Sequence, residues 1–156
     1  MSNLTPVADL CLVYIPSDKV LLDRHLVTEA QAEDAVILLA GDQLLNIEVE
    51  GLVYLSGPMS GMAEFNIPAF NAAAAKLRAD GLSVYNPGEC GLINGADWGH
   101  YMRYNLAQLQ RCTSIALLPG WSRSRGAKLE KLIAESLGME ISFLDGAERD
   151  EAAKAA

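Results

Sequence analysis

The chain has 156 residues and a formal net charge of −8 at pH 7. Hydrophobic residues make up 51% of it and charged residues 21%, which is typical of a globular protein with a sizeable core and excludes a disordered chain. The negative charge argues against a nucleic-acid partner, because non-specific binding to nucleic acid needs a basic surface. A small anionic ligand stays open, since a local group of backbone N–H donors can bind it.

The three cysteines, Cys11, Cys90 and Cys112, form no CxxC pair and have no histidine at the spacing of a metal site. Their odd number and scattered positions predict free thiols in a reducing compartment. Residues 1–9 lack the basic start and apolar stretch of a signal peptide, and no apolar run reaches the length of a membrane span. We therefore expect a cytoplasmic protein with no membrane partner, no metal and no organic cofactor.

Residues 1–50 predict a small subdomain or an interaction extension. The apolar run 10–15 predicts a strand. A capping-box pattern at 28–31 predicts a helix over residues 30–40. Partial alternation of apolar residues over 44–49 predicts an edge strand.

Residues 51–144 alternate between predicted strands and helices, and 145–156 form a charged, alanine-rich tail that predicts a short helix or a frayed end. The expected strands are 52–56, 82–85, 115–118 and 140–144, and the expected helices are 72–80, 97–111 and 126–137. Strands separated by helices imply right-handed crossovers and a parallel sheet. The predicted fold class is α/β, a doubly wound, Rossmann- or flavodoxin-like parallel sheet of four to five strands with an N-terminal extension.

A carboxylate lies inside the apolar helix that follows the strand 115–118. Glu130 falls about one turn beyond the expected helix start, near the positive end of the helix dipole, so we expect it to be ionised. In a parallel α/β fold that end lies at the carboxyl edge of the sheet, where ligands bind, which makes Glu130 a candidate nucleophile. The alternative is a glutamate that only favours the helix dipole.

The loop before this helix offers groups that suit an anion. Ser122, Ser124 and Gly126 provide hydroxyl groups and backbone N–H groups at the helix start. Arg123 and Arg125 would add charge-assisted contacts. The alternative is a solvated loop, which we favour for at least one of the two arginines.

Small residues also fill the loop 56–61 after the first strand of this domain. Gly57 and Gly61 allow a ligand to approach the backbone closely, and Ser56 and Ser60 offer hydroxyl groups. The loop contains neither a Walker A motif nor a GxGxxG fingerprint, which disfavours kinase chemistry and dinucleotide binding. A tight turn that needs small residues explains the loop equally well.

Four further side chains are expected at the same edge of the sheet. Trp98 and Trp121 either stack on a nucleobase or cover the end of the sheet. Asp97 is either a helix N-cap or a hydrogen-bond partner of sugar hydroxyls. Asn86 is either a turn former or a ligand contact.

Taken together, these residues resemble the nucleoside 2-deoxyribosyltransferase-like superfamily, and more closely a branch of small phage and prophage proteins within it. The matching pieces are 54–61, Phe65-Asn66 with Phe70, Asn86-Pro87, Trp98 with Met102, and 118–127 with Glu130 and Ala134. The resemblance covers about residues 51–144, and its specificity lies in the ordered set of pieces.

The resemblance implies a mechanism. In the superfamily a glutamate at the position of Glu130 attacks the anomeric carbon of a 2′-deoxynucleoside or its monophosphate, the base leaves, and water or a second base resolves the glycosyl ester. Relatives that act on free nucleosides carry Asp six residues before the nucleophile, whereas nucleoside-monophosphate glycosidases carry Ser there. This chain has Ser124 at that position, which implies a 5′-monophosphate substrate and leaves hydrolysis and transfer open.

The resemblance and the loops together define the expected site. The substrate-binding residues are Ser56, Gly57, Met59, Gly61, Asn86, Asp97, Trp98, Gly120, Trp121, Ser122, Ser124, Gly126 and Ala127, around the catalytic Glu130. Relatives complete their sites across a subunit interface, so a homo-oligomer, dimeric or larger, is implied. Two residues depart from the family pattern: Thr113, where relatives often have an acidic residue, and Lys128, which either crowds the site or points to solvent.

Three functions are compatible with the sequence. The first is a nucleotide N-glycosidase or N-deoxyribosyltransferase that uses Glu130. The second is a non-catalytic protein of phage or prophage origin that binds a nucleotide or a nucleotide signal, and the third is a structural protein built on an inactive enzyme fold. Glu130 favours catalysis, because a protein that only binds phosphorylated ligands gains nothing from an ionised carboxylate in its pocket.

Overall fold

A computed structural model describes residues 11–40 and 47–148. The chain divides into two compact units, Met1–Ile47 and Glu48–Ala156. Within the described ranges, no helix is long and apolar enough to cross a membrane. A short helix or a frayed end was predicted for the tail 145–156, and residues 149–156 of this tail lie outside the described ranges.

The first unit contains a three-stranded antiparallel sheet in the order β2-β1-β3. The strands are β1 (Cys11–Ile15), β2 (Val20–Asp23) and β3 (Val36–Ala40). Side chains alternate between the two faces of β1, so that Cys11, Val13 and Ile15 are buried in a small core. The predicted strand over 10–15 is confirmed for its described residues.

The expected helix over residues 30–40 is wrong. The capping-box contacts do form: the Thr28 N–H donates to Gln31 Oε1 at 3.1 Å, and the Gln31 N–H donates to Thr28 Oγ1 at 3.3 Å. They start only a short 3-10 helix, Gln31–Glu33, because the following apolar and β-branched residues pair with β1 as strand β3. Of the expected edge strand over 44–49, residues 44–46 lie outside the described ranges, and 47–49 are not strand.

The second unit is a three-layer α/β domain around a four-stranded parallel sheet in the order β5-β4-β6-β7. Its strands are β4 (Leu52–Ser56), β5 (Ser83–Tyr85), β6 (Ser114–Leu117) and β7 (Glu140–Phe143), and its helices are α1 (Ile67–Ala79), α2 (Trp98–Leu109) and α3 (Arg125–Ser136). The predicted doubly wound parallel sheet is therefore confirmed, with four strands in the described residues.

The helices cover both faces of this sheet. On one face, Phe70 and Ala74 of α1 pack against Leu55 of β4. On the other face, Leu109 of α2 and Ala134 of α3 belong to a second core cluster. Alternation along β4 explains this division, because successive side chains of a strand point to opposite faces.

Helix α1 begins earlier than the sequence predicts. It starts at Ile67, before the expected residue 72. Pro68 is compatible with this start, because the first turn of a helix has no intrahelical acceptor for its N–H groups. The turn Ala63–Asn66 that precedes the helix contains left-handed backbone at Glu64 and Phe65, which places both residues outside the helical path.

The order of the strands creates a crevice at the carboxyl edge of the sheet. The chain leaves β4 toward β5 on one side, whereas it leaves β6 toward β7 on the other. The loops after β4 and β6 therefore diverge at the switch point where α/β folds bind ligands. The Leu118 N–H donates to the Ser56 carbonyl at 2.8 Å and ties the two strand ends together.

Two phenylalanines allow a test of how much the packing beneath α1 contributes to the stability of the domain. Phe70 is 1% exposed in the core beneath α1, whereas Phe65 is 49% exposed. We expect Phe70→Ala to lower the free energy of unfolding by about 3–5 kcal/mol, through lost burial and a cavity. Phe65→Ala, the matched control, should change it by less than about 0.5 kcal/mol. Urea denaturation measures both, and equal losses would contradict the packing described for α1.

Candidate functional site

Glu130 is buried at the crevice, in the second turn of α3. The whole residue is 6% exposed. The Ser56 hydroxyl, at the end of β4, donates to Glu130 Oε1 at 3.2 Å. Ser56 and Glu130 lie 74 residues apart in the chain. Their hydrogen bond joins the predicted loop after β4 to the predicted helix α3.

Burial raises the pKa of Glu130 to about 7. The cause is desolvation, which disfavours the charged form of a carboxyl group. Interactions with the hydroxyl groups of Tyr54 and Ser56 favour the carboxylate, but they only partly offset the rise. The expectation that the helix dipole keeps Glu130 ionised is corrected here, because the dipole effect fades beyond the first turn and burial outweighs it.

Tyr54 is the second buried polar group of the site. Its hydroxyl and Glu130 Oε2 are both buried, and neither has a hydrogen-bond partner among the described residues. The two side chains interact with each other, and burial followed by the charge of Glu130 raises the pKa of Tyr54 well above its usual value. Tyr54 therefore stays a neutral hydroxyl. Its ring stacks on that of Tyr85, with centroids 5.3 Å apart.

The loops that follow β4 and β6 pack directly on each other. A Cβ atom at Gly57 would lie 2.8 Å from Leu118 Cβ, which is too close for any larger residue without a shift. Gly120 has a φ of +87°, and a Cβ atom there would lie 3.1 Å from Pro58 Cγ. Gly57 and Gly120 therefore serve loop packing, which for Gly57 agrees with the tight turn that was one of its two interpretations from the sequence.

Gly126, in the first turn of α3, lies close to the first turns of α2 and to Glu130. A Cβ atom at this position would lie 3.3 Å from Met102 Sδ, 3.9 Å from Trp98 Nε1 and 4.0 Å from Glu130 Oε1. The absence of a side chain at Gly126 thus allows Met102 to pack closely against the start of α3. Trp98, Gly126 and Glu130 are brought together, as the sequence predicts.

Ser124 is the N-cap of α3. Its Oγ accepts the N–H of Ala127 at 3.2 Å. As an acceptor in this bond, the hydroxyl keeps its own proton free to donate. The N–H groups of Arg125 and Gly126, at the first two helical positions, have no acceptor within the helix. The start of α3 therefore presents several hydrogen-bond donors, and the predicted anion site stays a prediction.

Residues 52–143 match the family described as Domain of unknown function (DUF4406). The chain belongs to this family. The matched range runs from β4 through β7 and includes Tyr54, Ser56 and Glu130. No curated protein and no solved structure matches the chain.

Trp121 is part of the core of this family domain. It is 4% exposed, and its ring packs against Phe143 with centroids 5.8 Å apart. Its indole N–H donates to the Ala147 carbonyl at 3.0 Å. Trp121 therefore has no exposed face for a nucleobase, and of the two interpretations of this residue the structure supports the one in which it covers the end of the sheet.

Asn86 and Asp97 are held by local hydrogen bonds. Asn86 Oδ1 accepts the Gly88 N–H at 2.9 Å, and its amide donates to Asn71 Oδ1 at 2.9 Å. Asp97 caps α2 and accepts the His100 N–H at 2.9 Å. Both residues have the structural role that the sequence analysis gave as one of two alternatives.

Four other expected binding residues are also explained by packing or turn geometry. Ser122 and Ala127 are buried. Met59 is partly buried and packs against the core cluster around α1. Gly61 has a φ of +78° in open space, as a turn glycine does.

The two departures from the family pattern now have structural accounts. The Thr113 N–H donates to the Leu52 carbonyl at 3.0 Å, which places Thr113 beside the start of β4 rather than at the crevice. Lys128 is exposed, so it points to solvent and does not crowd Glu130. In the described part of the chain, no group of three or more His, Cys, Asp or Glu side chains could hold a metal ion.

Sequence reasoning did not identify Tyr54 as a site residue. The signal was present in β4, because side chains two residues apart in a strand lie on the same face. Ser56 was expected at the crevice, so Tyr54 had to share its face. A tyrosine between apolar residues in a strand is typical of a hydrophobic core. Tyr54 differs from an ordinary core tyrosine in that its hydroxyl has no hydrogen-bond partner among the described residues.

The buried carboxyl group of Glu130 predicts a pH-dependent stability. The folded pKa of about 7 lies above the ordinary value of 4.5, so the folded state loses stability as pH rises through this window. Glu130→Gln removes the ionisation, and its stability relative to the wild type should rise by up to about 3 kcal/mol between about pH 4.5 and pH 8. Urea denaturation at both pH values measures this difference, and a difference that does not change with pH would contradict the burial.

Proposed function

We propose that this protein is a cytoplasmic nucleotide N-glycosidase or N-deoxyribosyltransferase that cleaves the N-glycosidic bond of a (deoxy)nucleoside 5′-monophosphate. The observation that carries the proposal is the Glu130 carboxyl group, which is buried at the carboxyl edge of the sheet with no hydrogen-bond partner for Oε2 among residues 11–40 and 47–148. Native proteins rarely leave a buried polar atom without a partner unless a ligand or a function uses it.

Ser56 supports the proposal by holding Oε1 of Glu130 through its hydroxyl group, which restricts the rotation of the carboxyl group. A carboxylate oxygen of Glu130 attacks the anomeric carbon. The carbon–oxygen bond forms as the bond to the base nitrogen breaks, and the base leaves with the electron pair and is protonated. Water or a second base then cleaves the glycosyl ester.

The donors at the start of α3 support a phosphorylated substrate. Ser124 stands at the N-cap with its hydroxyl proton free, and the dipole of α3 favours negative charge at that end. An aspartate at this position would repel a phosphate group, whereas a serine binds it. We further propose that the protein acts as a homo-oligomer, which sedimentation at working concentration tests.

Base release is the direct test of the proposed activity. The protein is incubated with 2′-deoxynucleoside and ribonucleoside 5′-monophosphates and with the free nucleosides, with and without a second base, and free base is followed by chromatography. We expect release from at least one monophosphate and loss of more than about a thousandfold in Glu130→Ala, since the nucleophile is removed.

Glu135→Gln is the matched control, because Glu135 lies on the same helix and is exposed. It should retain full activity. No release of base from any compound, with nucleotide binding retained, would contradict the glycosidase and favour a nucleotide-binding protein of phage or prophage origin.

The pH profile provides a separate prediction. Only the ionised Glu130 attacks, so kcat/KM should rise with pH and level off above about 7, the pKa of this group. Tyr54→Phe removes an interaction that lowers the pKa of Glu130, so the rise should move to higher pH. Initial rates measured across pH for the wild type and the variant test this, and an unchanged profile in Tyr54→Phe would show that Tyr54 does not act on the carboxylate.

A further inference from the structure

Arg125 is fixed in place by an aromatic ring from another helix. Its guanidinium carbon lies 4.0 Å from the ring centroid of Trp98. Arg125 is the first residue of α3 and Trp98 the first residue of α2, so the contact joins the two helix starts at the crevice. A cation over the face of a tryptophan is attracted by the ring quadrupole, which restricts an otherwise mobile side chain.

This stacking leaves the hydrogen-bonding edge of Arg125 available. The five N–H donors of a guanidinium lie in its plane, whereas the ring contacts its face. Arg125 is exposed, and no ion pair or side-chain hydrogen bond engages it within residues 11–40 and 47–148. A positioned arginine with a free planar edge suits an anion with two acceptor oxygens, such as a phosphate group.

The surroundings of Arg125 point to a ligand that reaches from this edge to Glu130. Ser124 offers its hydroxyl proton next to Arg125, and Trp98 Nε1 and Glu130 Oε1 both lie within 4.0 Å of a Cβ atom at Gly126. Residues 125 and 130 are separated by about 8 Å along the helix axis, since each residue adds about 1.5 Å. The buried carboxyl group of Glu130, with Oε1 beside Gly126, marks the inner end of this path and Arg125 the outer end.

We propose that Arg125, positioned by Trp98, is the residue that makes the site specific for the 5′-phosphate group of its substrate. This inference rests on the proposed function, and it assigns the phosphate to a side chain rather than to the start of α3 alone. Trp98 is a positioning residue for Arg125. Its stacking partner is an arginine of the same chain, whereas the alternatives from the sequence were a nucleobase or the end of the sheet.

The test compares four variants on two substrates. The variants are Arg125→Ala, Arg125→Lys, Trp98→Ala and, as a control, Arg103→Ala, which removes an exposed arginine of α2. The substrates are the 5′-monophosphate that the wild type cleaves and the corresponding free nucleoside. The measured quantities are KM and kcat for base release.

We expect Arg125→Ala to raise KM for the monophosphate by about ten- to a hundredfold, as for the loss of a charged hydrogen bond, with kcat nearly unchanged. Arg125→Lys should be intermediate, because an ammonium group keeps the charge and loses the planar edge. Trp98→Ala should raise KM in the same direction. Any activity on the nucleoside should be equal in the wild type and both Arg125 variants, because the nucleoside lacks the phosphate group, and Arg103→Ala should match the wild type. An unchanged KM for the monophosphate in Arg125→Ala, or an equal loss on the nucleoside, would overturn the assignment.

A binding measurement separates this inference from the proposed function. Titration calorimetry of the full chain with 2′-deoxynucleoside 5′-monophosphates and with the nucleosides needs no turnover. If the wild type releases no base but prefers the monophosphates, and Arg125→Ala loses that preference while Arg103→Ala keeps it, the glycosidase fails and the Arg125 assignment stands. If monophosphates and nucleosides bind alike, or neither binds, the Arg125 assignment fails.

Discussion

The burial of the Glu130 carboxyl group is the constraint on which the arrangement of the α/β domain depends. A carboxylate in a desolvated position costs free energy, and the single bond from Ser56 satisfies only one of its oxygens. The Tyr54 hydroxyl is a second buried atom that has no hydrogen-bond partner among the described residues. Buried polar groups without partners are unfavourable for stability and are typical of functional sites.

The parallel topology explains why these groups meet. The carboxyl ends of β4 and β6 lie next to each other in the sheet, and α3 begins shortly after β6, so Glu130 returns over the end of β4. Close packing of the two loops requires Gly57, and the close approach of Met102 to the start of α3 favours Gly126. The small residues therefore let these segments pack closely, while α3 supplies the buried carboxyl group of Glu130.

The parts predicted from the sequence are those with a local signal. The strand 52–56 and the loop-to-helix step before Glu130 follow from an apolar run and a helix start. The sequence placed Ser56 and Glu130 at the same edge of the sheet but did not predict the hydrogen bond between them, which joins residues 74 positions apart. The predicted helix over 30–40 is wrong, because a capping box indicates only the first turn of a helix. The pairing of the following residues with β1 is a non-local interaction that this local pattern does not show. The stacking of Arg125 on Trp98 joins two helices and has no local signal.

The formation of a covalent bond between Glu130 and the sugar is the central claim, and an acid-quenched reaction examined by peptide mass spectrometry tests it most directly. The account predicts that, during turnover of a 5′-monophosphate, the peptide that contains Glu130 gains the mass of the sugar phosphate, and that the stereochemistry at the anomeric carbon is retained. The same mass on a different peptide, or inversion at the anomeric carbon, would contradict it.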